Sequence, residues 1–187
     1  MFFKIEFTFF ELWKGGENMR SQWVPKGEIM YILGAMHPKN ALACEVSLFT
    51  GLRINDVLAL KSELLKSNRF TVREEKTGKT KRIYLPQNLH KRMLACAGQH
   101  FVFEGRINGK THRTRQAVFK DIKRVINAFG LKKQISPHTM RKIYAVNEFK
   151  NSGGDIKRVQ KLLNHSSEAV TYLYALADLV TKRKNFT

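Results

Sequence analysis

Six side chains with useful chemistry stand along this chain in a fixed order. Arg53 closes the run Thr50-Gly51-Leu52-Arg53, and Lys76 opens Lys76-Thr77-Gly78-Lys79. His138 and Arg141 stand three apart in Pro137-His138-Thr139-Met140-Arg141. His165 follows Leu162-Leu163-Asn164, and Tyr174 comes nine residues after it. Two arginines, two histidines, a lysine and a tyrosine can grip and cut a phosphodiester without a metal. The diester is anionic, and charge grows on its oxygens in the transition state. Preorganised donors aimed at that charge are often the largest catalytic term. A guanidinium stays charged at any working pH and presents planar paired donors, so Arg53 and Arg141 suit the task. His165 could add a third donor.

The nucleophile would be Tyr174, which could form a covalent phosphotyrosine and divide one hard step into two easier ones. A free phenol titrates near pH ~10, so it needs a base or a cationic pocket. The arginines supply the pocket, and His138 can accept or relay the proton. The leaving oxygen needs a donor, and Lys76 on a turn that can reach toward DNA is a flexible one. Lys79 and Lys81 are rivals for that role and otherwise read as DNA contacts.

Spacing supports the grouping. His138 and Arg141 share a face if they lie on one helix, and Arg53 and Asp56 have the same offset. Asp56 could orient an arginine without touching substrate. Tyr172 and Tyr174 face different ways on a helix, so only one can enter the site. Taken singly, each residue has an ordinary structural explanation; the ordered set is what points to chemistry.

The elements that must position these residues read as mostly helical. Helices are expected from Pro25 through Leu33, from Pro38 to Gly51, and from Ile54 to Leu64, the last with an apolar stripe of Val57, Leu58, Leu60 and Leu64. The period then changes. Two strands, Arg69 to Glu75 and Lys81 to Leu85, are expected to flank a turn at Lys76-Thr77-Gly78-Lys79, where Gly78 permits a positive φ. Pro86 opens a helix through Leu94, and Phe101-Val102-Phe103 reads as a third strand. Helices are expected over 114–129, from Ser136-Pro137 to about Asn151, after an Asp155 cap, and from Glu168 to Ala177. Phe3, Ile5, Phe7 and Phe9 give the first residues a strand-like alternation, broken by Gly15-Gly16. The sum is an α+β domain, predominantly helical, with a small three-stranded antiparallel sheet.

The chain has 187 residues, enough for one domain with a short appendage. Lysine and arginine number 34 against 15 acidic residues, a formal net charge of +19, which points to a polyanionic partner and first of all to nucleic acid. Arg106, Lys110, Arg113 and Arg115, with Lys120 and Lys123, read as contacts that position phosphates rather than read bases. Cys44 and Cys96 lie in apolar stretches without metal-ligand spacing and read as reduced, buried thiols, and His100 and His112 lack ligand partners. No metal or other cofactor is expected. The first residues lack an uninterrupted signal-peptide core, and no run of 18 apolar residues exists, so no membrane span and a cytoplasmic location are expected.

Thr50-Gly51-Leu52-Arg53-Ile54-Asn55-Asp56 resembles the first arginine box of the tyrosine recombinases, the phage integrase family. Lys76-Thr77-Gly78 resembles the family's hairpin lysine. His138-Thr139-Met140-Arg141 matches its HxxR box, and Leu162-Leu163-Asn164-His165-Ser166-Ser167 resembles the box written LLGHSS, with asparagine in place of glycine. Tyr174 sits at the family's tyrosine spacing, and the match spans about residues 25–180. The resemblance implies the family's catalytic fold over 25–187. Residues 1–24 are a short segment, read as an edge strand or as the remnant of a core-binding domain. It implies attack by Tyr174, a 3′-phosphotyrosyl link, a free 5′-hydroxyl and reversal by a partner strand, with neither ATP nor metal. It also implies double-stranded DNA as partner, a homo-tetramer on DNA, and a C-terminal segment, Leu176 to Thr187, that docks on a neighbouring subunit. The competing readings are a catalytically silent DNA-binding accessory or regulatory protein of the same fold, and a DNA-relaxing topoisomerase of related mechanism.

Overall fold

The computed structural model describes residues 21–106 and 109–164. The strand-like first residues, the helix expected after Ser167, and His165, Tyr172 and Tyr174 lie outside them. Among the described residues there are seven α-helices and one two-stranded sheet. The helices are α1 (Lys26–Gly34), α2 (Pro38–Thr50), α3 (Ile54–Leu58), α4 (Gln87–Cys96), α5 (Arg115–Ala128), α6 (Pro137–Asn151) and α7 (Ile156–Leu162). The strands are β1 (Arg69–Arg73) and β2 (Thr80–Tyr84).

Two helices organise the core. Leu42, Ala43, Cys44, Val46 and Leu48 of α2 are buried, and α2 packs against α1, α3, α4, α5 and α6. Met140, Ile143, Ala145 and Val146 of α6 are buried in turn. Full burial of one such Ile or Met side chain is worth about 1.5–3 kcal/mol. Local chemistry sets the ends. Ser136 and Thr139 form a reciprocal capping box at the start of α6, and Pro137 occupies its first turn. Asp155 caps α7 by accepting from the Arg158 N–H at 2.9 Å. Thr114 caps α5 in the same way, accepting from Ala117 at 3.1 Å.

Two expectations are corrected. The helix expected from Ile54 to Leu64 stops at Leu58 and resumes as a 3₁₀ turn over Ser62–Lys66. The interruption has a cause: Lys61 bridges antiparallel to Phe101, and the Val102 N–H donates to the Leu60 carbonyl at 2.9 Å. Those backbone groups cannot also serve a continuous helix. The third strand is therefore absent from the sheet. Phe101 and Glu104 make isolated bridges, to Lys61 and His112, so the apolar run Phe101-Val102-Phe103 buries its side chains without extending a ladder.

The hairpin register pairs Phe70 with Ile83 and Val72 with Lys81. Side chains alternate across a strand, so Val72 and Ile83 turn into the core, and Glu74, next in the same phase as Val72, is buried too. Lys81, opposite Val72, points inward with them.

Candidate active site

Arg53 is placed by a turn that only glycine accommodates. Gly51 ends α2 at φ 69°, and a Cβ there would lie 2.4 Å from the Tyr144 ring. Thr50 and Ser47 brace the turn: the Ser47 hydroxyl donates to the Leu52 carbonyl at 2.7 Å, and the Leu52 N–H donates to the Thr50 hydroxyl at 3.2 Å. The chain then delivers Arg53, in extended backbone, at the start of α3.

Arg141 reaches the same place from α6. It is 1 % exposed, and its two terminal nitrogens donate to the carbonyls of Gly51 and Leu163, each at 2.5 Å. Both carbonyls belong to helix C-termini, of α2 and α7, where carbonyls lack intrahelical donors and the dipole favours a cation. The fold itself thus fixes this guanidinium.

A residue not singled out from the sequence joins the two arginines. The fully buried Glu74 carboxylate bonds Arg53 through Oε2, and Arg141 Nη1 lies 3.9 Å from the same oxygen. Its Oε1 accepts from the Asn164 side-chain amide at 2.6 Å. The period-two phase of β1, continued one step beyond Val72, was the signal that marks Glu74 as inward. Asn164 holds φ 50°, a left-handed conformation that asparagine tolerates better than most residues. It therefore occupies the position of the glycine in the LLGHSS pattern in a conformation glycine would also take.

Asp56 lies within reach of the charges of Arg53 and Arg141 and has a second partner besides. Its Oδ1 accepts from the Glu75 N–H at 2.9 Å, tying α3 to the base of the hairpin turn. Burial raises its pKa; the Glu75 bond and the nearby arginines oppose that, while Glu74 adds to it. The turn is closed by Glu74 N–H to Lys79 carbonyl at 2.9 Å and Gly78 N–H to Glu74 carbonyl at 2.8 Å, with Gly78 at φ 65°. Lys76 and Lys79 are exposed on it. Lys81 is turned away from the surface, donating to the carbonyls of Thr50 and Leu162 at 2.6 Å each. Burial and the nearby Arg141 lower its pKa to about 8.

His138 lies in the first turn of α6, with its backbone N–H on the Ser136 hydroxyl. His138 is exposed, yet neighbouring protein withdraws part of its hydration. That desolvation, with the charges of Lys142, Arg141, Arg53 and Arg115, lowers its pKa to about 4. At neutral pH the imidazole is uncharged. Arg106, Lys110 and Arg115 are exposed, whereas the half-buried Arg113 donates to the Asn40 side chain at 2.8 Å. The structure therefore brings Arg53, Arg141 and Glu74 into one cluster, with Asp56 and the Lys76 turn fastened to it. Among the described residues no three His, Cys, Asp or Glu side chains converge as metal ligands, and no helix is long and apolar enough to cross a membrane.

A helical domain of this kind has known counterparts. The model of the phage integrase family matches residues 22–179, and the chain belongs to that family. A tyrosine recombinase of Thermosipho africanus (strain TCF52B) is 30 % identical over 162 residues, which cover 81 % of this chain and 56 % of that protein. Tyrosine recombinase XerD of Rhizobium meliloti (strain 1021) is 31 % identical over 136 residues, covering 67 % of this chain and 43 % of that protein. The chain spans about half the length of such relatives. A lambda integrase (75-356) dimer bound to a COC′ core site superposes with a TM-score of 0.69 at 20 % identity, over 85 % of this chain and 60 % of that one. XerA recombinase gives 0.64 at 20 % identity, over 89 % and 65 %. These structural likenesses establish the fold.

Proposed function

We propose that this chain is the catalytic part of a site-specific DNA recombinase or integrase. It cuts and rejoins double-stranded DNA through a 3′-phosphotyrosyl intermediate without a metal. The observation that carries the reading is the convergence of Arg53 and Arg141 on a single carboxylate oxygen. Guanidinia that meet on one anionic oxygen can meet on a scissile phosphate. Tyr174 attacks phosphorus, His138 takes its proton, and the 5′ oxygen leaves with a proton from Lys76. His165 completes the donors to the non-bridging oxygens. A partner strand's 5′-hydroxyl reverses the step.

The exposed Lys79, Arg106, Lys110 and Arg115 hold the DNA backbone, with Arg113 beside them. Residues 25–187 form the catalytic domain, and residues 1–24 are a short segment read as the remnant of a core-binding domain. Relatives named as recombinases and a neighbour bound to a core site support DNA as the partner. A homo-tetramer on two duplexes in the cytoplasm is the assembly this chemistry calls for.

The test is a nicked suicide duplex carrying the element's end sequence, resolved on a denaturing gel and mapped by mass spectrometry. A covalent adduct on Tyr174 that forms equally well in EDTA is expected. Tyr174→Phe should bind DNA and form none, while Tyr172→Phe should remain active. Binding without any adduct on a verified site would replace this reading with a silent DNA-binding protein.

A further inference from the structure

Glu74 sits where three parts of the site meet. Its carboxylate bonds Arg53 from the α3 turn and Asn164 from the segment after α7, with Arg141 beside it. Its backbone closes the turn that carries Lys76, through Lys79 and Gly78. Glu74 thus links the arginine cluster to Asn164, the residue before His165 in sequence. The carboxylate is fully buried, so its partners are bound at low dielectric, where charge-assisted bonds are strong and an unmet one is costly.

We infer that the Glu74–Asn164 bond is a latch, and that Glu74 is a positioning residue holding the arginine pair, the Lys76 turn and the segment leading to His165 in one register. The inference rests on the recombinase reading for its effect on rate. Asparagine in place of the pattern's glycine acquires a purpose here: it keeps the left-handed backbone and adds the amide that reaches Glu74. The latch acts on the arrangement of donors rather than on DNA affinity, because Glu74 is buried and adds no positive charge to the surface.

Asn164→Gly removes the amide, suits φ 50° and leaves the fold intact, so it is the first variant. At saturating DNA its single-turnover cleavage is expected to fall about tenfold, with the DNA Kd and thermal midpoint little changed. Glu74→Gln keeps the shape, loses the charge and should fall by a similar factor; Glu74→Ala should fall about a hundredfold. The Asn164→Gly/Glu74→Ala double variant should be no slower than Glu74→Ala alone, since the alanine already removes the bond that the glycine removes. Hydrogen exchange at the amides of residues 74–79 and 161–164 should quicken in both single variants. Wild-type cleavage in both would overturn the latch. So would faster cleavage, which would make Glu74 an occupant of the phosphate's place. Should wild type form no adduct on its verified site, the recombinase reading falls, and exchange alone judges the latch: unchanged protection in both variants overturns it, quickened exchange upholds it.

Discussion

Arg141 and Lys76 carry the same formal charge in opposite surroundings. Arg141 is 1 % exposed and held by two helix-terminal carbonyls, with a carboxylate close by. Lys76 stands exposed on a turn whose backbone is tied down by Asp56, Gly78 and Lys79 while its side chain is left to solvent. A donor to non-bridging oxygens gains from being fixed before substrate arrives, because no reorganisation is then needed. A proton donor to a leaving group gains from reach. On the proposed reading, the first is built into the core as Arg141 and the second set on a hairpin tip as Lys76.

The comparison is broken most sharply at its fixed end. Arg141→Lys cannot span both the Gly51 and Leu163 carbonyls, so cleavage should drop about 10³-fold and stability by ~3 kcal/mol. Single-turnover cleavage and urea unfolding read the two. Lys76→Ala should cost cleavage about 10²-fold and leave the unfolding curve in place; a stability loss there would erase the distinction. Gly51→Ala tests the support rather than the charge. Left-handed backbone and the Tyr144 ring together should cost ~2–4 kcal/mol, read in urea, with cleavage falling as Arg53 shifts.

The pH profile comes next. His138 has a pKa lowered to about 4 when folded, against 6.5 ordinarily. The unfolded chain therefore binds the proton more readily between those values, and the stability held above pH 6.5 is lost as pH falls toward 4. If His138 is the base, cleavage should persist through pH 6 and decline only nearer 4, and an acid limb centred at 6.5 would remove it from that role. The smallest effect belongs to the free surface: Lys79→Ala should weaken DNA binding a few-fold and reduce the salt slope of log Kd by about one, without changing cleavage at saturation.

The order of the boxes made Arg53, Lys76, His138 and Arg141 legible, because each box is local: a turn, a helix face, a hairpin tip. The helix limits around them were legible for the same reason, since Pro25, Pro38, Ser136 and Asp155 act on their own neighbours. What escaped depended on partners distant in sequence. Leu60 and Leu64 continue an apolar stripe, yet the pairing of Lys61 with Phe101 breaks the helix there. Glu74 reads as one more charge near a turn until the strand's phase carries it inward to Arg53 and Asn164. Lys81 reads as a surface cation until the opposite strand sets it beside Val72.

The Leu163 carbonyl that receives Arg141 lies more than a hundred residues after the Gly51 carbonyl that receives its other arm. The setting of Arg141 therefore exists only once two segments far apart in sequence have met. A chain released early from the ribosome, or clipped before α7, lacks one of the two carbonyls and with it the means to set the guanidinium. Completion of the fold and the setting of the guanidinium are thus one event: a copy without the later segment holds Arg141 by one arm only.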